Sequence, residues 1–119
     1  MKKLRIGTLV GGDRAVDIIP QIIPHGFESF SLTFWQSTGE INLVDLAKRL
    51  KEILADEDVI ISSLSIFSNP LVETDKGEKA LESWQKLIDN AHHFDVDLIT
   101  GFTGRLPEQS IDKSIPRFK

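Results

Sequence analysis

The sequence predicts an α/β chain built on a parallel sheet, and three observations carry that prediction. Short apolar runs rich in β-forming residues alternate with amphipathic helical stretches along the 119 residues. The runs start about every 25 to 40 residues, the spacing of βα units. A helical stretch separates each run from the next, so no hairpin can join them and the strands must lie parallel.

Residues 4–10 form the first strand, and Gly11-Gly12-Asp13 ends it. Residues 15–23 place Val16, Ile19 and Ile23 on one helical face, with Pro20 expected to kink or shorten the helix. Pro24-His25-Gly26 is a helix stop. Residues 27–35 are aromatic and β-branched with near alternation, which reads as a second strand, and Gln36-Ser37-Thr38-Gly39-Glu40 is a polar loop. Asn42 can cap the next helix, with Asp45 in its first turn. Leu43, Leu46, Ala47, Leu50, Ile53 and Leu54 give that helix its apolar stripe, and Asp56-Glu57-Asp58 ends it. A third strand spans 59–67 and breaks at Ser68-Asn69-Pro70. The helical pattern returns over 74–94 through Ala80, Leu81, Trp84, Leu87, Ile88 and Ala91. A fourth strand at 96–102 leads to a loop marked by Gly104 and Pro107. Ser114-Ile115-Pro116 reads as the start of a last helix, with Arg117, Phe118 and Lys119 following.

The order is βαβαβαβ plus a helix start, in a single domain over 1–119, with no linker or low-complexity tract. Four parallel strands leave two open edges, and parallel sheets need cover or closure into a barrel. The chain therefore reads either as a small open sheet with a short tail or as a barrel interrupted after four units.

Composition narrows the function classes. A net charge of -4 gives no basic field for nucleic acid or an anionic membrane. The absence of cysteine removes disulfides, thiolate nucleophiles and Cys-ligated metals, and it fits a reducing compartment. The basic opening Met1-Lys2-Lys3-Leu4-Arg5 looks like the start of a signal peptide, but Gly11-Gly12-Asp13 breaks the apolar run that should follow. No apolar stretch approaches the roughly 20 residues of a membrane span. The expectation is a cytoplasmic protein.

Five segments in order carry a family resemblance. They are Arg5-Ile6-Gly7-Thr8, Gly26-Phe27-Glu28-Ser29-Phe30 with Phe34-Trp35 closing the same strand, Asn69-Pro70-Leu71 after the third strand, the 74–94 helix leading to Gly101 and Gly104, and Ser114-Ile115-Pro116-Arg117-Phe118. Together they resemble the N-terminal half of the sugar phosphate isomerase/epimerase family, the xylose-isomerase-like TIM barrels. The resemblance implies a half-barrel fragment, the first four βα units of a TIM barrel. It also implies a full-length parent that uses a divalent metal to move a proton next to the carbonyl of a sugar or sugar phosphate. In the family the metal-holding carboxylates and histidine stand on later strands, from about the fifth onward. No catalytic or metal residue is therefore carried over, no cofactor is expected in this chain, and the chain itself is expected to be inactive.

In such sheets function sits at the strand C-termini. Trp35 is a candidate wall for a sugar ring, or a core tryptophan under a loop. Asn69 offers an amide to a hydroxyl, though Asn before Pro is also ordinary turn chemistry. Arg105 could pair with a phosphate or carboxylate, or stay solvated. Gly11-Gly12 and Gly101-x-x-Gly104 could admit a phosphate to backbone N–H groups, or serve tight turns. His92 and His93 should point about 100° apart on a helix, and His25 lies on the opposite rim, so none is a metal candidate. Asp56-Glu57-Asp58 and Asp95 and Asp97 belong to that opposite rim and are expected to be solvated, and Trp84 is expected in the core. A homodimer through the open sheet edges, with no catalytic role, is the alternative to the enzyme-fragment reading.

Overall fold

The computed structural model describes residues 3–118, so expectations resting on Met1, Lys2 and Lys119 lie outside the described residues. Four strands form one parallel sheet in the order of the chain: β1 (Gly7–Gly11), β2 (Ser29–Trp35), β3 (Ile60–Phe67) and β4 (Ile99–Gly101). Helices α1 (Ala15–Ile22), α2 (Leu43–Leu54) and α3 (Asp75–Asn90) connect them, and α4 (Ile111–Phe118) follows β4. Right-handed crossovers between strands laid down in chain order put the connecting helices on one face of the sheet.

Local sequence explains most boundaries. Pro20 sits inside α1, which ends at Ile22 and passes into a 3-10 turn, Ile23–His25, closed by Gly26 at φ 92°. The Asn42 side chain accepts the Asp45 N–H at 3.0 Å and fixes the start of α2. Thr74 caps α3 by accepting from the Lys76 N–H. The expected 74–94 helix divides at Asn90, and Ala91–Phe94 tightens into a 3-10 turn ended by Asp95 at φ 56°. Three boundaries differ more. The first strand begins at Gly7 rather than at residue 4, because pairing with β2 starts at Gly7. The fourth strand is only three residues long, because only Ile99 to Gly101 reach β3. The last helix begins at Ile111 rather than Ser114, whose hydroxyl instead turns back to accept from the Leu106 N–H at 2.9 Å.

The core lies between the sheet and its helices. Val10, Phe30, Leu32, Phe34, Ile61, Leu64 and Ile66 point from the strands into Ile19, Leu46, Leu50 and Leu87 of the helices. Phe30, Leu32, Leu64 and Ile66 are wholly buried. A bulge interrupts the alternation of β3. Phe30 faces Ile61 while Ser31 faces Ser63, so Ser62 is the extra residue and both Ile61 and Leu64 turn to the helices.

Gly77, in the first turn of α3, is fixed by close approach. A Cβ there would collide with the carbonyl oxygen of Val72, with the carbonyl of Pro70 also 3.4 Å away. Alanine in place of a helical glycine ordinarily stabilises by about 0.5–1 kcal/mol. At Gly77 the sign reverses, because the obstacle is backbone that no rotamer change can move. Gly77→Ala is expected to destabilise by about 2 kcal/mol. A lowered urea midpoint checks this, and a raised one contradicts it.

Candidate functional site

All four strands end on one rim, and strand parity decides what that rim carries. Residues that alternate with the core set face away from the helices: Leu9 on β1, Ser31, Thr33 and Trp35 on β2, Ser63, Ser65 and Phe67 on β3, and Thr100 on β4. The middle of this face is a chain of hydroxyls. Ser31 Oγ lies 2.6 Å from Ser63 Oγ and 3.2 Å from Ser65 Oγ, and Ser65 Oγ lies 2.6 Å from Thr100 Oγ1. The chain crosses β2, β3 and β4, and each hydroxyl can donate or accept.

Above the hydroxyls, toward the strand C-termini, stands a row of rings. Trp35 meets Phe67 edge to face at 6.4 Å, and Phe67 stacks on Phe102 at 5.3 Å. Trp35 is 75% exposed and Phe102 59% exposed, so Trp35 is not a core tryptophan. The backbone just past Trp35 is held tightly. The Ser37 N–H donates to the Trp35 carbonyl at 2.8 Å across Gln36, whose φ is 69°, which makes a three-residue γ-turn. The Gln36 N–H donates to the Phe67 carbonyl, tying the ends of β2 and β3 together. Further along this loop the buried Thr38 donates its N–H to Ser83 Oγ of α3 at 2.9 Å. The ring row thus stands on anchored loops, and strained backbone of this kind clusters at functional positions.

The other two candidate side chains are occupied within the chain. Asn69 clamps the loop after β4. Its Nδ2 donates to the Arg105 carbonyl at 2.7 Å, while its Oδ1 accepts from the Arg105 and Leu71 N–H groups at 3.1 Å. Gly104, at φ 81°, lets the amide in, because a Cβ there would collide with Asn69 Oδ1. The Arg105 guanidinium donates to the Gln109 carbonyl at 2.7 Å. The glycine pairs have packing reasons too. A Cβ at Gly12 would strike the Phe34 ring, and one at Gly101 would lie 2.5 Å from the Trp84 ring. Trp84 is half-buried rather than fully in the core, and its Nε1 is sealed from solvent without a partner among the described residues.

The opposite rim holds the charge. Lys3 Nζ sits 3.0 Å from Glu28 and 3.4 Å from Asp58, and Arg5 Nη2 sits 2.8 Å from Asp58. Asp58 is exposed as expected, and it is also ion-paired, since Arg5 and Lys3 of the β1 approach reach across β2 to it. Asp95 likewise pairs with Lys51 at 3.4 Å. Hydrogen bonds from Lys3 and then from the Ile6 N–H hold the Glu28 carboxyl below its usual range. Arg5 and then Lys3 do the same for Asp58, while Glu28 and then Asp58 raise the Lys3 ammonium. Carboxyls lowered in the folded state contribute stability above their ordinary values of 4.5 and 3.8 and lose it as pH falls through their folded values. The urea midpoint is expected to drop on acidification below about pH 4.5. Asp58→Asn should flatten that acid limb, and an unchanged acid limb would contradict the assignment.

His92 and His93 also differ from expectation. Their ring centroids stand 3.9 Å apart on the Ala91–Phe94 3-10 turn, although consecutive residues of such a turn leave the axis in different directions. Among the described residues no three His, Asp or Glu side chains converge as a metal set. The ring-and-hydroxyl face offers no carboxylate or imidazole, so its donors do not fit the divalent metal that the family resemblance implies. Among the described residues no helix is long and apolar enough to cross a membrane.

No protein-family model matches the chain, and no curated protein matches it either.

Phe67, Phe102 and the hydroxyl chain escape a residue-by-residue reading. Their signal is parity: aromatic or hydroxyl residues recur at every second position of β2, at 63, 65 and 67 of β3, and at 100 and 102 around β4.

Proposed function

We propose that this chain binds a neutral carbohydrate on the Trp35–Phe67–Phe102 row and the Ser/Thr chain beneath it. In this reading it is the N-terminal half of a xylose-isomerase-like barrel, a fragment of a metal-dependent isomerase or epimerase and itself inactive. The observation that carries the binding reading is the pairing of exposed ring faces with a hydroxyl network on one face of a parallel sheet. A pyranose or furanose ring has an apolar C–H face and a hydroxyl rim, and it needs both kinds of partner at once.

The same face favours an uncharged sugar over its phosphate. Its residues carry no cation, and the nearest candidate, Arg105, has its guanidinium on the Gln109 carbonyl. A phosphate ester would bring a dianion to a site without a charged donor. Proton transfer beside a carbonyl also needs a positioned acid or base, and the face provides only hydroxyls.

The test isolates one fluorophore. The chain has two tryptophans, so Trp84→Phe leaves Trp35 as the sole indole. Titration of that variant with D-xylose, D-fructose and glucose 6-phosphate should give a saturable change for the neutral sugars, with a Kd of about 1–10 mM. The phosphate should bind no more tightly. A flat signal to about 100 mM for every sugar overturns the reading.

A further inference from the structure

We propose that the two open edges of the sheet are docking surfaces for a second copy of this chain. The edge strand β4 of each copy would pair in parallel with β1 of the other about a two-fold axis. The proposal rests on the strand edges and their charges and not on the carbohydrate reading, although the barrel it forms encloses the same hydroxyl face.

The edges are unguarded. Among the described residues, β1 pairs only with β2, and β4 pairs only with β3. Exposed edges are usually blunted by a lysine, a proline or an inward charge. The sequences of β1, Gly-Thr-Leu-Val-Gly, and β4, Ile-Thr-Gly, contain none of these.

Apolar side chains lie open beside both edges. Along β1 and its approach, Leu4, Ile6 and Leu9 are exposed. On the other side, Leu98 and Phe102 flank β4. Ile111, Ile115 and Phe118 are also exposed, at i, i+4 and i+7 of α4, so one stripe of that helix lacks a partner.

Charge selects the pairing of unlike edges. The approach to β1 is cationic through Lys3 and Arg5, and the approach to β4 is anionic through Asp95 and Asp97. Arg5 stands two residues ahead of β1 and Asp97 two residues ahead of β4. Parallel pairing of β4 with β1 of a second copy therefore brings opposite charges to one rim. The cations already reach acidic residues ahead of the next two strands, Glu28 before β2 and Asp58 before β3. Asp97 is a third acid placed in the same way, and it has no ion pair among the described residues. A two-fold axis would run like edges antiparallel, β1 against β1 or β4 against β4, and would leave the charged approaches at opposite ends of the seam without this opposite-charge pairing.

Two such seams related by a two-fold axis close eight parallel strands into a barrel and leave no edge open. The hydroxyl face becomes the lumen, one rim carries both ring rows, and the other carries the charged approaches.

Light scattering on the purified chain tests this. At about 100 μM the mass should approach twice the 13.4 kDa of one chain. Asp97→Lys should weaken association about tenfold, and so should raising the salt to about 0.5 M. Leu9→Lys should abolish it, with a helical circular dichroism spectrum showing that the variant still folds. A monomer at that concentration overturns the proposal, and so does a dimer that ignores both substitutions.

Discussion

Phe30→Ala is expected to remove about 4 kcal/mol of stability, the largest loss from a single truncation in this chain. Phe30 is wholly buried at the centre of the sheet, with Thr8 beside it on β1 and Ile61 on β3. Its ring stands 6.4 Å from that of Phe27, tilted by 49°. Truncation leaves a ring-sized void that these neighbours cannot fill, because three strands fix their positions. A domain of this size holds about 5–15 kcal/mol in total, so the variant keeps only part of its margin. With a urea slope of about 2 kcal/mol/M, the midpoint should fall by about 2 M. The matched control is Leu81→Ala on α3, which truncates a side chain that is already more than half exposed and should shift the midpoint little. A fall of less than about 0.5 M for Phe30→Ala would mean that the core is centred elsewhere.

The contrast between Phe30 and its sequence neighbour Ser31 is the organising feature of the sheet. A parallel sheet covered on both faces has strands that are apolar throughout. Here β2 reads Ser-Phe-Ser-Leu-Thr-Phe-Trp, and only every second residue enters the core. The other set carries hydroxyls that satisfy one another across strands, at separations down to 2.6 Å. Stability and binding are therefore assigned to opposite parities of the same strands. Substitutions on one set should leave the other set's property largely intact.

This division explains what the sequence made legible. The helices could be placed because their apolar stripes are unbroken and their caps are local. Asn42 and Thr74 sit where their side chains can reach N–H groups a few residues ahead. The alternation of β2 was equally plain, and Trp35 fell at its exposed end. The face of β3 was hidden by one inserted residue. Ser62 shifts the register, so Ile61 and Leu64 share a face although they stand three positions apart. A strict period of two puts Ile61 on the face of Ser63 and Ser65 and sets Ser62 with Leu64 and Ile66, so neither face reads as purely apolar or purely polar. Asn69 and Arg105 were harder for a different reason. Thirty-six residues separate them, and nothing local reveals that the amide of one grips the backbone of the other. The ion pairs of Lys3 and Arg5 with Asp58 have the same origin, since only the crossing of β2 brings β1 and β3 approaches within reach.

Trp35→Ala should carry the largest functional effect, because Trp35 is the most exposed ring of the row and the one least required by the core. Its loss removes a large flat apolar surface while Phe67 and Phe102 keep their own stacking at 5.3 Å. The expected cost to binding of a neutral sugar is about 2 kcal/mol, roughly a 30-fold rise in Kd. Stability should change by less than about 0.5 kcal/mol, because the side chain is already in solvent. Calorimetry reads binding in this variant, since its indole reporter is gone. Trp35→Phe discriminates the mechanism: a ring of any kind keeps part of the C–H contact, so the Phe variant should recover most of the lost affinity. Ser65→Ala probes the second half of the site. Ser65 links the hydroxyls of Ser31 and Thr100, and its removal should weaken binding by several-fold without touching the rings. If Trp35→Ala binds sugar as the parent chain does, the exposed row is not the carbohydrate surface. If Trp35→Phe is as weak as Trp35→Ala, the indole N–H rather than the ring face makes the contact, and the stacking argument fails.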